Sequence, residues 1–346
     1  MSRRIERTGA PPESWTALAR VAGSFYHEPL WVETIARTFK FPLDCLTAFE
    51  GDRPVAALAL ASVPSLGGRP HLVSFPFSYV AGSIGDPAAD ADLARYAIAL
   101  AGERRVRYLE IKRPGAPALV EPLVRVARYH TFEVPLAGGS DAVWTTLDGD
   151  STRRGIRKAQ KTGLRVERVA DRAGWEAMAA FQDDTARRHG LPAPPRHFWR
   201  EGVTGLAAHD LARAYLAFAD GTRPVAGITV WTAPSRWIYA FGGADSRYLD
   251  RRPNHLLLWT AMADAMAEGS QVFDLGRAAP EQEGLVTFKR RWGGQPVPLA
   301  YDYWPAPRGV HLAPRNRGPL RVAARVWSAL PLGITRLGSS LYRYLG

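Results

Sequence analysis

The stretch FADGTRPVAG (residues 218–227) decides the fold because the chain contains a close copy of it, FEGDRPVAA, at residues 49–57. Both copies pass from an apolar run through a turn of glycine and an acidic residue into Arg-Pro-Val-Ala and a second apolar run. This pattern predicts a β-hairpin. The similarity continues downstream, where VRYLEIKR (106–113) matches SQVFDLGR (270–277), each after a predicted helix. A hairpin, a helix and a strand in the same order predict two copies of one α+β unit.

The repeat predicts three regions, an N-terminal domain at 1–137, a C-terminal domain at 138–305 and a basic helical tail at 306–346. In the first domain we expect a strand at Leu72–Phe77, a helix at about 91–104 and a strand at 106–112. In the second domain we expect a helix that Asp150 or Ser151 caps and that ends at Gly163, helices at 172–189, 195–208 and 254–268, and strands at 212–219, 224–232, 236–242 and 271–275.

Composition limits the function classes. The chain has 346 residues, 46% hydrophobic and 23% charged, which is typical of a globular protein. Its one cysteine, Cys45, excludes an intrachain disulfide and a cysteine-based metal site, and no HExxH spacing occurs, so we expect no metal. The net charge of +12 favours anionic partners such as tRNA, nucleotide phosphates or an anionic membrane surface, and we expect no DNA partner. An arginine-rich proteome would also raise this charge.

The sequence lacks several motifs that would indicate secretion, membrane insertion or a common class of enzyme. The start, MSRRIERTGAPPESW, has no apolar segment of a secretory signal, and no run of about 18 apolar residues occurs, so we expect a cytoplasmic protein. No GxSxG, GxxxxGK[ST] or GxGxxG motif follows a strand, which removes the best evidence for a serine hydrolase, a nucleoside triphosphatase or a dinucleotide enzyme.

Two basic clusters are candidate phosphate sites. In the first, helical spacing places four cations on one face, with a fifth beside it: Arg153, Arg154, Arg157, Lys158 and Lys161. In the second, a Gly-rich strand end (Tyr239, Gly242, Gly243) leads to Arg251, Arg252 and Asn254 at a predicted helix start, where free N–H groups favour phosphate or carboxylate. A solvated basic helix and an ordinary capped helix are the structural alternatives.

The stretch FDLGRAAPEQEGLVTFKRRWGGQPVPLAYDYW (273–304) contains the third cluster. Asp274 ends a predicted buried strand, so it is a candidate proton acceptor or a structural acceptor of backbone N–H groups. A polar loop with Arg277, Glu281 and Glu283 follows. Next comes a cationic, glycine-flanked turn with Phe288, Lys289, Arg290 and Trp292, in which Lys289 is a candidate phosphate clamp. His189, after a predicted helix, is a second candidate base.

The tail contains seven arginines and no acidic residue, because Asp302 is the last acidic residue of the chain. Its apolar residues fall in broken stripes around Pro331. Two short basic amphipathic helices fit this pattern. They are expected either to dock onto the body of the protein or to lie in the plane of an anionic membrane.

Five segments resemble the Fem-type family of tandem-GNAT acyltransferases, which is related to the peptidoglycan bridge enzymes: STRRGIRKAQKTGLRV, TARRHGLPAPP, RRPNHLLLWTAMADAMAEG, VFDLGRAAPEQEGLVTFKRRWGG and, in the first half, VSFPFSYVAGSI. The chain is most similar to the branch associated with exosortase and exopolysaccharide loci. The resemblance covers about residues 30–305 and extends to the tail.

This resemblance implies two GNAT domains and acyl transfer, often of an aminoacyl group from aminoacyl-tRNA to an amine of a cell-wall precursor, with no permanently bound cofactor. Arg157 and Lys158 match the family's basic segment and Lys289 its Phe-Lys motif. The implied partners are aminoacyl-tRNA, a nucleotide- or lipid-linked envelope precursor and, through 306–346, the membrane. The predicted catalytic residues are Asp274, Lys289 and His189. The predicted phosphate-binding residues also include Arg277 and Arg290, and the predicted cleft contains Tyr239, Gly242, Gly243, Glu283, Phe288 and Trp292.

One departure bears on the donor. GNAT proteins that use acetyl-CoA usually carry an (Arg/Gln)-x-x-Gly-x-(Gly/Ala) loop, whereas the corresponding stretch in this chain, Arg247 to Leu257, contains no glycine. Two alternatives to aminoacyl transfer stay open. One is a CoA-dependent N-acyltransferase that acts on a sugar or lipid amine, and the other is a non-catalytic basic adaptor that binds membrane or RNA.

Overall fold

A computed structural model describes residues 3–65, 68–114, 119–169, 171–305 and 319–345. Within these ranges the chain divides into two compact units. The first unit lies within Met1–Tyr129, Pro298–Arg315 and Arg343–Gly346, and the second within His130–Val297 and Asn316–Tyr342. Each unit has a hydrophobic core of its own.

The chain alternates short helices with strands along most of its length. Up to residue 114 the elements are β1 (Arg4–Thr8), α1 (Glu13–Ala22), α2 (Pro29–Phe39), β2 (Leu43–Glu50), β3 (Arg53–Ser65), β4 (Gly68–Val73), β5 (Ile84–Gly85), α3 (Asp90–Glu103) and β6 (Leu109–Pro114). From residue 124 onward they are β7 (Val124–Pro135), α4 (Gly139–Thr146), α5 (Arg154–Lys161), β8 (Arg165–Arg168), α6 (Arg172–Arg188), α7 (Thr204–Ala208), β9 (Ala212–Phe218), β10 (Pro224–Ala233), β11 (Arg236–Ala244), α8 (Pro253–Ala267), β12 (Val272–Asp274), α9 (Glu283–Arg291), β13 (Gln295–Trp304), α10 (Pro319–Ala329) and α11 (Leu332–Leu337).

The first unit is built on a mixed sheet. Its strand order is β1-β2-β3-β4-β6-β13, and β5 also pairs with β3. The hairpin β2–β3 is antiparallel, β4 and β6 run parallel, and β13 returns antiparallel to β6. Leu46 and Leu58 from the hairpin and Leu93 from α3 belong to one buried cluster, so the apolar runs of the sequence form the core.

The second unit repeats this plan with the strand order β7-β12-β11-β10-β9-β8. The hairpin β9–β10 is antiparallel, and β11 and β12 form the parallel pair. Leu257 of α8 packs with Trp237 and Phe273 of the sheet in the core. Met178 and Phe181 of α6 lie against glycines of β10 and β11, where a larger side chain would collide with the helix.

These elements confirm the predicted α+β fold of two similar units with C-terminal helices. Both hairpins, the helices α3 and α8, and the strands β6 and β12 lie where the repeat places them, within one to three residues at most ends. The helices α10 and α11 pack on α6. Residues 306–318 of the predicted tail, including Arg308, Arg315 and Arg317, lie outside the described residues. Within the described ranges, none of the helices has both the length and the apolar character needed to cross a bilayer.

Three predicted elements are wrong in detail. The strand at Leu72–Phe77 stops at Val73, because Phe75 and Phe77 have φ values of 59° that no strand allows. The helix at 195–208 is confirmed in extent, as a continuous helical segment at 196–208, but its middle, Phe198–Val203, is π-helical and only its last part is α7. The helix cap is Asp148 rather than Asp150 or Ser151, since its carboxylate accepts the backbone N–H of Ser151 at 2.8 Å.

The boundary of the units also differs from the predicted division at 137 and 138. The second unit begins at His130, and β13 belongs to the first unit from Pro298 onward. The alternating pattern of β13 indicates a strand but does not name its partner. Its register with β6, Leu299 opposite Pro114 to Trp304 opposite Leu109, assigns it to the first unit.

Asp302 of β13 provides a test of this pairing. Its side chain is fully buried, and its carboxylate accepts hydrogen bonds from Arg113 and Arg125, each at 3.1 Å. Asp302→Asn leaves both guanidinium groups without their anion, so we expect a loss of about 3–5 kcal/mol of unfolding free energy in a urea titration. The control Asp52→Asn, at an exposed carboxylate, should change it by less than about 0.5 kcal/mol. Equal effects of the two variants would contradict the assignment of Asp302.

Candidate active site

A bulge in β11 opens the sheet of the second unit. Opposite β10, Thr229 pairs with Phe241 and Val230 with Tyr239, so Ala240 is an extra residue on β11. A bulge bends its strand and increases the local twist. β11 pairs with β12 through three residue pairs only, and the last is Ile238 with Asp274. Beyond this point the two strands no longer pair.

The departure of β12 is fixed by hydrogen bonds on its other side. The N–H of Leu275 donates to Phe132 of β7 at 2.8 Å, and Gly276 turns the chain with a φ of 78° that favours glycine. After Ile238 no described strand pairs with this edge of β11, although the Gly276 turn approaches the carbonyl of Tyr239 and Gln182 donates to the carbonyl of Gly242 at 3.0 Å. Backbone groups at such an edge are available to a ligand.

A cavity of about 250 Å³ lies beside β11 and the start of α8. Its lining combines apolar side chains with a few polar groups, which is typical of ligand sites. The lining residues are Ile228, Tyr239, Leu249, Arg252, Pro253, Asn254, His255, Leu258 and Phe288. The structure thus brings together four of the predicted site residues, Tyr239, Arg252, Asn254 and Phe288.

The polar groups of the cavity include a hydrogen-bond acceptor without a partner and two side chains that are uncharged at pH 7. The buried Oδ1 atom of Asn254 has no hydrogen-bond partner in the described structure, which is rare for a buried polar atom. Burial, and then the charge of Arg252, lowers the pKa of His255 to about 4, so its imidazole is neutral at pH 7. Burial raises the pKa of Tyr239 to about 12, which leaves its hydroxyl protonated.

Lys289 fixes the turn that follows β12. It lies on α9 and is 4% exposed, and its Nζ atom donates to the carbonyl oxygens of Leu275, Gly276 and Arg277 at 2.5, 2.6 and 3.2 Å. Asp274 holds the same turn from its other side, since its carboxylate accepts the N–H of Gly276 at 2.8 Å. The three N–H donors of the ammonium group thus all have acceptors within the chain.

This geometry corrects two predictions about the stretch 273–304. The cationic segment is the helix α9 and not a turn between strands, and Lys289 points into the protein and not toward a phosphate. Trp292 is 1% exposed and packs with His255 and Phe288, so it supports the cleft from the core and does not line it. Asp274 is 2% exposed and also bonds Thr131 and Arg236, which favours its structural role over a role as base.

The predicted basic face is present on α5. Gly155, Ile156 and Ala159 are buried, while Arg154, Arg157, Lys158 and Lys161 are exposed, with Arg153 half-buried beside them. Within the described residues no carboxylate lies within 4.0 Å of these five cations. Arg157 lies over the ring of Trp144. The helix approaches α8 closely, because a side chain at Gly155 would collide with His255, which lines the cavity.

Other predicted residues are not part of the cavity lining. His189 caps α6, with its Nδ1 atom 2.8 Å from the carbonyl of Thr185. Arg251 pairs with Asp220. Gly242 leaves room for the hydroxyl of Tyr239, and Gly243 for Phe181 and Thr185. A last group is exposed near α9 and is not part of the lining: Arg277, Glu281, Glu283 and Arg290.

Sequence reasoning missed His255. Its imidazole joins the cavity, the core tryptophan Trp292 and the basic helix, through Gly155. Its position in the first turn after Pro253 was the only signal, and it matches no catalytic motif. Among the described residues, no three His, Cys, Asp or Glu side chains are grouped as metal ligands would be.

Comparisons with known proteins agree with this geometry. Residues 150–290 match the model of the acetyltransferase (GNAT) domain family. A search of curated proteins finds no match. The matched residues include α5, the bulged strand β11, the helix α8 and Lys289, so the cavity lies within the part of the chain that matches this family.

Three solved structures share the fold of nearly the whole chain. FemX is 16% identical with a TM-score of 0.64, over 86% of this chain and 96% of that one. L-PGS from Bacillus licheniformis is 11% identical with a TM-score of 0.62, over 94% and 100%. A tandem GNAT protein from the clavulanic acid biosynthesis pathway is 11% identical with a TM-score of 0.51, over 89% and 99%. With the domain match, they support the resemblance to Fem-type tandem-GNAT acyltransferases.

Lys289 should make stability depend on pH. Burial, opposed by Asp274 and reinforced by Arg277, lowers its pKa from 10.5 to about 8. The unfolded chain therefore binds more protons than the folded one between these values, and the lysine destabilises the folded state most below pH 8. The unfolding free energy of the wild type minus that of Lys289→Met should rise as the pH increases from 8 to 10.5. Urea titrations at both ends of this window measure it, and a constant difference would contradict the burial of the ammonium group.

Proposed function

We propose that this GNAT-domain acyltransferase transfers an aminoacyl group from aminoacyl-tRNA to an amine of a cell-envelope precursor. The observation that carries the proposal is the polar cavity beside the bulged strand β11, with the unpaired basic face of α5 joined to it through His255. Such a pair of features offers one site for a small reactive group and an adjoining site for a polyanion.

The chemistry requires no covalent intermediate on the protein. The acceptor amine attacks the ester carbonyl, a C–N bond forms and the C–O bond to the carrier breaks. The amine loses a proton, and the released oxygen of the carrier takes up a proton to become a hydroxyl. Because the donor is already activated, the protein needs to align the two substrates and stabilise the oxyanion. The backbone of β11 after Ile238, where pairing with β12 has ended, is suited to the second task. Lys289 and Asp274 act as positioning residues, since they fix the turn that keeps β12 away from this edge.

The unpaired amide of Asn254 is suited to bind the aminoacyl end of the donor. Its Oδ1 atom accepts hydrogen bonds, so it fits the ammonium group or an amide of an amino acid. The hydroxyl of Tyr239 and the neutral imidazole of His255 complete a lining that can be satisfied by a small polar ligand. With its low pKa, His255 is a weak base at pH 7, and in this mechanism the proton passes to water.

Two features favour tRNA over CoA as the donor. The cavity of about 250 Å³ is smaller than the roughly 300–1,000 Å³ of pockets that enclose a whole drug-sized ligand, so it suits an acyl group whose carrier stays outside. The turn before α8 contains no glycine, and its last residue, Arg252, has a φ of 60°. A bulky side chain there restricts the approach of a pyrophosphate to the backbone.

A second candidate is a CoA-dependent N-acyltransferase that acts on a sugar or lipid amine. The match to the acetyltransferase domain favours it, since such domains typically use acyl-CoA. For the acceptor, an envelope precursor is supported by the resemblance to Fem-type proteins and by the fold shared with FemX and L-PGS. In this proposal the acceptor is nucleotide- or lipid-linked, and the protein acts on the inner face of the cytoplasmic membrane.

Charge reversal on α5 tests the donor. Arg157→Glu with Lys158→Glu should weaken binding of a charged tRNA pool at least tenfold at physiological salt and reduce the slope of log K against log salt by about 2. The control Arg69→Glu with Arg107→Glu makes the same change in net charge at exposed arginines of the first unit and should leave both values nearly unchanged. If both variants weakened tRNA binding equally, the binding would depend on net charge and not on the basic face of α5. Micromolar binding of acetyl-CoA by the wild type, without preference for charged tRNA, would favour the second candidate.

Asn254→Leu tests the cavity separately. The wild type should bind charged tRNA in preference to uncharged tRNA, because only the charged form places an aminoacyl group in the cavity. The variant should lose this preference about tenfold and bind uncharged tRNA as the wild type does, since one hydrogen bond to a charged group is removed. If the wild type bound charged and uncharged tRNA equally, the proposed aminoacyl site would be contradicted and a non-catalytic adaptor would be favoured.

A further inference from the structure

The C-terminal helices dock on the second unit through polar and apolar contacts. The guanidinium of Arg187 on α6 donates to the carbonyl of Ser328 at 3.0 Å, and Arg336 on α11 donates to the buried carboxylate of Asp183 at 2.7 Å. Thr335 is the residue of α11 that is buried. Ala324 also lies directly against Gly190, and Trp327, Leu330 and Leu332 are half-buried, so polar and apolar contacts together hold the inner face.

The outer face of the same helices is apolar. Five large hydrophobic residues of the tail are exposed, Val322 by 64%, Val326 by 58%, Ile334 by 50%, Leu337 by 84% and Leu341 by 38%. Only four others occur in the rest of the described chain, and they are scattered. Helices that served only to dock would bury their apolar residues and expose the polar ones. These helices expose large apolar side chains in addition to those that pack inward, so the outer face is a surface for a partner.

The charge around this face identifies the partner. No acidic residue follows Asp302 in the sequence, and Arg325, which is exposed on α10 between Val322 and Val326, has no carboxylate within 4.0 Å in the described structure. A second copy of the chain would bring arginines against arginines. A surface that is apolar in its interior and negatively charged at its boundary satisfies both features.

We propose that the outer face of α10, α11 and the 3-10 helix Gly338–Leu345, defined by Val322, Val326, Ile334, Leu337 and Leu341, binds an anionic lipid bilayer with α10 and α11 lying in its plane. The apolar side chains enter the boundary between headgroups and acyl chains, and Arg325 contacts the lipid phosphates. Apolar burial alone or basic charge alone does not attach a protein stably to a bilayer, but the two together do. Because the helices are already fixed on α6, binding requires no unfolding of the tail. The proposal does not depend on the identity of the donor or the acceptor.

Flotation with lipid vesicles tests the surface on the full chain. The wild type should bind vesicles of equal parts phosphatidylglycerol and phosphatidylcholine at least tenfold more tightly than vesicles of phosphatidylcholine alone. Val326→Ser with Leu337→Ser should reduce binding to the anionic vesicles about tenfold without any change in net charge. The matched control, Val21→Ser with Val124→Ser, removes two exposed valines from the first unit and should bind as the wild type does.

Melting temperatures of all three proteins, measured in parallel, should agree within a few degrees, because the substituted side chains are exposed. No binding by the wild type, or equal binding by the tail variant, would overturn the proposal. Light scattering supplies a further outcome against it. If the wild type has the mass of two chains and the tail variant that of one, the face is an interface between copies. The donor-binding experiments are unaffected by these results.

Discussion

A buried ammonium group holds open the site on which this molecule depends. The strand β12 ends after three residues, so the carbonyl oxygens of Leu275, Gly276 and Arg277 have no partner strand, and Lys289 supplies donors to all three. An isolated buried charge is costly, and a lysine is retained there because carbonyl dipoles surround it. Asp274, near enough to raise its pKa, fixes the N–H side of the same turn. The gap beside β11 is thus maintained by hydrogen bonds rather than by loose packing.

The first unit has the same arrangement of strands, but the turn after its parallel pair is held by different contacts. Its parallel pair also ends early, at Val73 opposite Glu110, but the chain that follows stays attached. Ser74 donates its N–H to Glu110 and accepts that of Lys112 on its hydroxyl, and the Nζ atom of Lys112 donates to the carbonyl of Phe75. The position that corresponds to Lys112 in the repeat is Gly276. One unit places a lysine within the strand and closes the gap, whereas the other brings its lysine from a helix and leaves the gap open.

Patterns of local sequence predicted most of the fold because hairpins, caps and apolar periodicity are local. They failed where the deciding contact is distant. The segment around Lys289 has glycines and cations that suit a phosphate-binding turn, and its burial depends on carbonyl groups 12 to 14 residues away. The partner of β13 is likewise set by register with a strand far earlier in the chain. Tyr239, Arg252, Asn254 and Phe288 could be selected from local signals, but His255 gains its place in the cavity only from the packing of α5 on α8.

The two basic surfaces of the second unit, the exposed face of α5 and the outer face of the tail, differ in the number of exposed apolar side chains. The net charge does not show this difference. The exposed face of α5 is cationic without large exposed apolar side chains, and such a face binds a polyanion with strong dependence on salt. The outer face of the tail has exposed aliphatic side chains and few charges, and that combination suits a bilayer, where apolar burial persists as salt screens the arginines. The net charge of +12 alone favours RNA and membrane equally. The distribution of apolar residues around each group of cations separates them, because water tolerates a solvated cation far better than a cluster of exposed leucine and valine.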